Sequence, residues 1–396
     1  MHGNDRQAPI MTAVDPMAPT VIGQQADLAI RLPLPLLTSL RFFEAVDVIV
    51  YHRAPSQAPG FLANLAASGY DAVSFFFILS GFILAYVYHA PTTPSKMKSS
   101  TRTFWTARLA RIMPTYLLGL LPGAPLFAYS SLVSRVIPLD HGIAGLVLVP
   151  TLLQAWWPPT ALVWNGPAWS LSVEAFFYAL FPWLMRLISG WSNLRGIVFA
   201  MALIIAASVI RAFIPSADAT SMFRTNFVLY WPLFHLPSFI LGMTLGRWFL
   251  EQDCRRNGIF SWLFPAGAIT TVLLFGCRSW LPTWGTSPPI QTLAFSILII
   301  GAAAARPTGF LARPTFVALG ESSYAMYILH EPVAFWWNRF IGGIGEERTW
   351  TAFTGFLVTV ITGAVAVYFW FEKPCQRRLL RQTPRSVTPS APVLHK

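Results

Sequence analysis

The stretch Gly69–His89, GYDAVSFFFILSGFILAYVYH, decides the fold. Asp71 is its only acid, and no Lys or Arg interrupts it. A run this long and this apolar reads as a helix that crosses a bilayer. Only a helix or a closed barrel can satisfy every backbone N–H and C=O where no water is available. Working outward, similar segments cover 37–53, 112–132, 142–157, 169–190, 196–214, 227–249, 260–280, 289–305, 315–338 and 351–371, which makes eleven candidates. The whole chain agrees: 55% of its 396 residues are hydrophobic and only 11% charged, with a mean hydropathy of +0.53. A soluble domain carries about 25% charged residues. Soluble enzyme, disordered chain and disulfide scaffold are all excluded, and an all-α polytopic membrane protein remains. The three cysteines, Cys254, Cys277 and Cys375, show no CxxC or zinc spacing, so no metal or redox site is predicted.

The net charge of +12 comes from 28 Lys+Arg against 16 Asp+Glu. Basic residues collect on the cytoplasmic side of short loops. Lys96, Lys98, Arg102, Arg108 and Arg111 crowd one loop, and Lys373, Arg377, Arg378, Arg381 and Arg385 crowd the C-terminal end. Were all eleven segments to cross, these two groups would face opposite compartments. If 142–157 turns back as a re-entrant or surface hairpin, every dense cluster falls inside. This segment is short and ends in Trp156-Trp157-Pro158-Pro159, which suits such a turn. The expectation is therefore about ten spans with both termini cytoplasmic. Residues 1–35 form a disordered cytoplasmic extension, 36–380 one membrane domain and 381–396 a disordered basic tail. The positive charge then serves topology and attraction to anionic lipid rather than nucleic acid.

An ionisable side chain inside a span asks for a reason. The first span holds Arg41, Glu44, Asp47 and His52. Arg41 and His52 lie eleven residues apart, close to three turns, so they share a helix face about 16 Å apart along the axis. A cation at the cytoplasmic mouth and an imidazole deeper in suit an anionic substrate reaching towards a base. Interfacial snorkelling of both residues explains the same pattern. In the tenth span Ser323, Tyr327 and His330 follow i, i+4, i+7 spacing, either as a catalytic face or as a hydrogen-bonded packing seam. In the fifth, Ser170, Glu174 and Tyr178 make another stripe, and Glu174 needs a cationic partner, with a histidine from another span expected. Arg108 and Arg111, at i and i+3, can grip phosphate together or simply mark the cytoplasmic side. Trp169 and the Trp156-Trp157 pair can floor a carbohydrate site, although most of the 16 tryptophans belong to the interfacial belt.

Taken in order, these motifs resemble the integral-membrane acyltransferase-3 family of bacterial O-acetylases and O-acyltransferases. The first span has Arg41, ten residues and His52; the second has Val73-Ser-Phe-Phe-Phe-Ile-Leu-Ser-Gly-Phe82. Arg108-Leu-Ala-Arg111-Ile-Met-Pro114 is similar to the RxxR start of the family's third span. Trp169-Ser-Leu-Ser-Val-Glu174, Gly320 through His330, and Glu372-Lys-Pro374 complete the set over roughly 36–380. Glu44 and Asp47 depart from it, standing where the family has small or apolar residues, and Ala72 stands where glycine is common.

The resemblance implies a multi-pass protein of the bacterial inner membrane, in the membrane-only form. Its donor is acyl-CoA, acetyl-CoA first among the candidates, and its acceptor is a hydroxyl of a surface or exported glycan. No metal is implied. Arg41, Arg108 and Arg111 would hold the CoA phosphates. His52 would act as base or as transient acyl carrier, Glu174 and His330 would orient the reacting groups, and Trp169, Ser323 and Tyr327 would contact substrate. Two other readings stand beside this one: a same-fold enzyme acting on a small molecule or lipid, and a transporter or flippase of glycan precursors.

Overall fold

The computed structural model describes residues 32–55, 60–90, 97, 99–214, 222–255, 258–342 and 349–381. Almost all of the expected N-terminal extension and all but Arg381 of the expected tail, with His2 and His395, lie outside the described residues. Among the described residues the regular elements are helices, and the one extended pairing is an isolated bridge between His89 and Met97. In chain order the α-helices are α1 (Pro35–Arg53), α2 (Gly60–Ala66), α3 (Gly69–Tyr88), α4 (Thr101–Ala128) and α5 (Leu139–Leu148). Next come α6 (Trp169–Ser189), α7 (Asn193–Phe213), α8 (Met222–Tyr230), α9 (Leu236–Glu251) and α10 (Leu263–Gly276). The chain closes with α11 (Pro288–Ala304), α12 (Pro314–Glu321), α13 (Ser323–Phe340), α14 (Trp350–Val367) and α15 (Lys373–Arg381).

Seven helical stretches among the described residues are long and apolar enough to cross a membrane, including Gly69–Tyr88, Thr101–Val133 and Asn193–Phe213. Most expected spans recur with ends shifted by a few residues. Three differ in kind. The segment expected at 227–249 is broken: α8 ends at Tyr230, a 3-10 turn covers Pro232–Phe234, and α9 restarts beside Pro237, because proline supplies no N–H to continue a helix. The segment at 315–338 divides at Ser322 into α12 and α13. The segment at 142–157 contributes only the ten-residue α5, followed by short 3-10 turns.

Small residues set how closely the helices pack. At the α3–α9 crossing, a Cβ on Gly242 would fall 2.0 Å from the Ile78 carbonyl oxygen, and one on Gly81 2.2 Å from that of Phe239. Glycine on both helices lets the backbones touch, which is how apolar helices gain dispersion energy where lipid competes for every side chain. Gly320 does the same for α12 against Thr38 of α1. Peripheral helices show the converse. On α7 the buried residues are Gly196, Ala200 and Ile204, while Leu194, Val198, Ile205 and Val209 face outward.

Two prolines inside helices have consequences for the centre of the bundle. Pro182 leaves the carbonyl of Tyr178 without its helical donor, and Trp105 Nε1 donates to it at 3.0 Å. Pro332 does the same to the carbonyl of Ile328, which accepts from Asn165 Nδ2 at 3.0 Å. These cross-helix bonds tie α6 to α4, and the turn before α6 to α13, around a polar interior.

Candidate active site

Helices α1 and α13 run alongside each other from the Gly320–Thr38 contact, which brings His330 against His52 with ring centroids 5.2 Å apart. Each Nδ1–H donates to a carbonyl on its own helix, that of His52 to Val48 and that of His330 to Tyr327, both at 2.8 Å. A carbonyl can only accept, so these bonds put the proton on Nδ1 and leave a lone pair on each Nε2 of the neutral rings. His330 is fully buried, and its Nε2 has no hydrogen-bond partner among the described residues. Glu331 Oε1 lies 3.6 Å from it.

Glu331 is itself held by both Arg53 guanidinium arms, Nε to Oε1 at 3.1 Å and Nη2 to Oε2. Ligand atoms of His52, His330 and Glu331 gather within 4.8 Å of one another, the spacing of a metal triad. Here Arg53 already shares the carboxylate, so a divalent cation would meet about twice the repulsion that a proton meets. The arrangement fits a proton better: two neutral imidazoles in contact, with the carboxylate of Glu331 3.6 Å from His330 Nε2.

One helix turn away opens a cavity of about 150 Å³. Arg41 of α1 lines it with Arg108 and Arg111 of α4, and Ser80, Glu174 and Tyr178 complete the polar wall. The i, i+3 spacing on α4 turns both guanidiniums to one side. Arg108 also sits 5.9 Å and 6.0 Å from the ring centroids of Tyr88 and Tyr178, which holds a cation without neutralising it. Glu174 accepts hydrogen bonds from Ser80 Oγ at 3.0 Å and Tyr178 Oη at 2.5 Å. The histidine expected to pair with Glu174 is not there. Hydroxyls satisfy the carboxylate instead, and the arginines of the same cavity supply the positive field. Deeper under the arginines, Glu372 takes a hydrogen bond from Thr115 at 3.0 Å.

The two polar stripes read from the sequence meet in the wall of this cavity. Tyr327 Oη lies 2.8 Å from Ser170 Oγ and donates to the Pro167 carbonyl at 2.9 Å. The Tyr327 and His330 rings are 6.1 Å apart, so Tyr327 bridges the cavity wall and the histidine pair. Ser323 lines the cavity, although its hydroxyl donates to its own helix at the Gly320 carbonyl, 2.8 Å away. Trp169, expected with Trp156-Trp157 to floor a carbohydrate site, is not among the residues lining this cavity. It is buried among Tyr70, Phe77, Tyr230 and His235 in an aromatic core.

The sequence reading passed over Arg53, Glu331 and Ser80. The first two follow His52 and His330 directly, and a charge of opposite sign beside each histidine was the signal that they pair. Ser80 stood in a quoted motif, but only packing of α3 against α6 turns its hydroxyl to Glu174.

Comparison with known proteins follows the same residues. A family described as "Acyltransferase domain" matches residues 39–369. The chain is 31% identical over 385 residues to the acyltransferase MdmB of Streptomyces mycarofaciens, covering 90% of this chain and 95% of that protein. It is 23% identical over 369 residues to the O-acetyltransferase OatA of Staphylococcus aureus, covering 87% of this chain and 57% of the relative. The putative peptidoglycan O-acetyltransferase YrhL of Bacillus subtilis is 23% identical over 392 residues, with 89% and 56% covered. The chain thus spans little more than half the length of the last two. No solved structure matches it.

Proposed function

The chain belongs to the acyltransferase-3 family and is an enzyme that transfers acyl groups, and from that premise we propose that it moves an acyl group, acetyl first among the candidates, from acyl-CoA to a hydroxyl. The observation that carries this reading is the pair of imidazoles, 5.2 Å apart and beside Tyr327 in the wall of an arginine-lined cavity. CoA phosphates pair with Arg41, Arg108 and Arg111, since guanidinium groups bind phosphate through charge-assisted hydrogen bonds. The pantetheine arm runs past Tyr327 towards the histidines.

His52 Nε2 takes the acceptor proton as the hydroxyl oxygen attacks the thioester carbonyl. The C–O bond forms and the C–S bond breaks. The imidazolium then returns the proton to the departing thiolate, so ester and free CoA thiol are the products. His330 and the Arg53–Glu331 pair hold the transient positive charge, which a lone imidazole in this apolar setting would carry at greater cost. A transient acyl group on His52 leads to the same products. Glu174 orients the Ser80 and Tyr178 hydroxyls along the cavity.

Three further helices, α1, α11 and α13, added to the seven long apolar ones, give ten spans, with α5 and the turns after it as a hairpin that enters and leaves on one side. Both termini then face the cytoplasm of a bacterial inner membrane, the arginine cavity opens towards cytoplasmic CoA, and 36–380 forms one domain. The name of the Bacillus subtilis relative, a putative peptidoglycan O-acetyltransferase, favours a glycan acceptor. The test is thioester consumption by the purified protein in lipid nanodiscs. Release of CoA thiol from acetyl-CoA, accelerated by a hydroxyl acceptor, is expected. Failure to consume thioester under any acceptor condition overturns the reading in favour of a transporter.

A further inference from the structure

A second cavity of about 200 Å³ shares no lining residue with the first, and Arg53, Trp164, Asn165, Glu331, Phe335 and Asn338 line it. Glu331 lines it and lies 3.6 Å from His330 Nε2, while Tyr327 of the same helix lines the arginine cavity. An occupant therefore approaches the histidine pair through Arg53 and Glu331, and the donor from the Tyr327 side.

Asn165 is 3% exposed. Its Nδ2 is committed to the Ile328 carbonyl that Pro332 cannot bond. That bond settles which amide atom points where, because a carbonyl accepts only from the nitrogen. Oδ1 is left buried, with no hydrogen-bond partner among the described residues. A buried carbonyl oxygen without a donor costs free energy, and sites built this way discriminate strongly for a ligand that supplies the missing group.

Resting on the acyl-transfer reading above, we propose that this cavity is the acceptor pocket and that Asn165 is its specificity-determining residue, taking a hydrogen bond from a hydroxyl or N–H of an uncharged acceptor. The acceptor is uncharged because Arg53 and Glu331 already neutralise each other at the cavity wall. A carboxylate or phosphate would have to displace Glu331 from Arg53. Trp164 supplies a fixed wall, with its ring stacked on Phe127 at 4.5 Å and its Nε1 donating to the Leu120 carbonyl at 2.9 Å.

The test measures binding without turnover, so its outcome is separate from that of the thioester assay. Asn165→Leu alone would strand the Ile328 carbonyl. In a Pro332→Ala background the residue 332 N–H returns to that carbonyl, and Asn165→Leu then removes only the free acceptor. The probes are methyl β-D-glucopyranoside, as a neutral ring bearing several hydroxyls, and the matching methyl glucuronide, titrated by ligand-observed NMR against protein in nanodiscs. The neutral glycoside is expected to bind wild type and Pro332→Ala saturably and at least tenfold more tightly than the glucuronide. The double variant is expected to lose at least tenfold in affinity for it. No saturable binding, equal binding of the two probes, or an unchanged affinity in the double variant overturns the proposal.

Discussion

The two cavities differ in what their charges do. The first places three arginines, Arg41, Arg108 and Arg111, against one lining carboxylate, Glu174, which hydroxyls already satisfy, with Glu372 as a second acid nearby, so positive charge stays in excess. The second holds one arginine and one glutamate that cancel in a bidentate pair. In a membrane interior surplus charge is expensive and persists where a counter-ion visits. The unbalanced cavity therefore suits a polyanion such as CoA, and the balanced one does not. Tyr327 lines the first and Glu331 the second, and both residues neighbour His330, so on the proposed reading charge sorts the substrates by side.

The largest effect is expected from removing that imbalance. Arg108→Ala combined with Arg111→Ala deletes two charge-assisted contacts worth about 1.5–3 kcal/mol each. CoA affinity measured by calorimetry should then fall about a hundredfold or more. An unchanged affinity would return both arginines to a topological role. Next is the balance of the second cavity. Arg53→Leu strands the Glu331 carboxylate, and loss of one partner of this part-buried pair costs about 1–3 kcal/mol, which thermal unfolding in nanodiscs will register. Adding Glu331→Leu should recover most of that loss, and a double variant no more stable than the single one would show that the pair is not coupled. Glu174→Gln keeps the shape of the first cavity but weakens the bonds from Ser80 and Tyr178. Turnover should drop about tenfold, as one weakened charged hydrogen bond implies, and steady-state kinetics with acetyl-CoA would reveal no change if the carboxylate only braces helices. Trp169→Phe sharpens the comparison from outside both cavities. It touches neither, so KM for donor and acceptor should stay within about twofold, the remaining cost being packing among aromatic rings.

The same contrast explains what could be read from the chain alone. The helices were legible because each apolar run must close its own backbone hydrogen bonds, and nothing outside the run can change that. Polar stripes at helical spacing were also legible as stripes: Ser170 on one helix and Tyr327 on another were each found, and they bond to one another. Partners across helices were not. Glu174 was expected to pair with histidine and instead accepts from Ser80 and Tyr178, since which span lies beside which is settled by contacts such as the glycine crossing of α3 and α9. Trp169 could be belt, floor or core from its type, and its neighbours alone make it core. Asn165 lies four residues before the quoted Trp169 motif and had no role there. Its importance depends on Pro332, far along the chain, freeing a carbonyl that only the folded protein brings near.

The central claim is that the first-helix imidazole performs the transfer while the arginines only hold the donor. The most direct test pairs CoA binding with acetyl-CoA turnover in one preparation of His52→Ala. The account predicts a CoA affinity within about twofold of wild type and transfer reduced by the 10²–10⁴ typical of a lost general base. A folded His52→Ala protein that transfers acyl groups at the wild-type rate would contradict it.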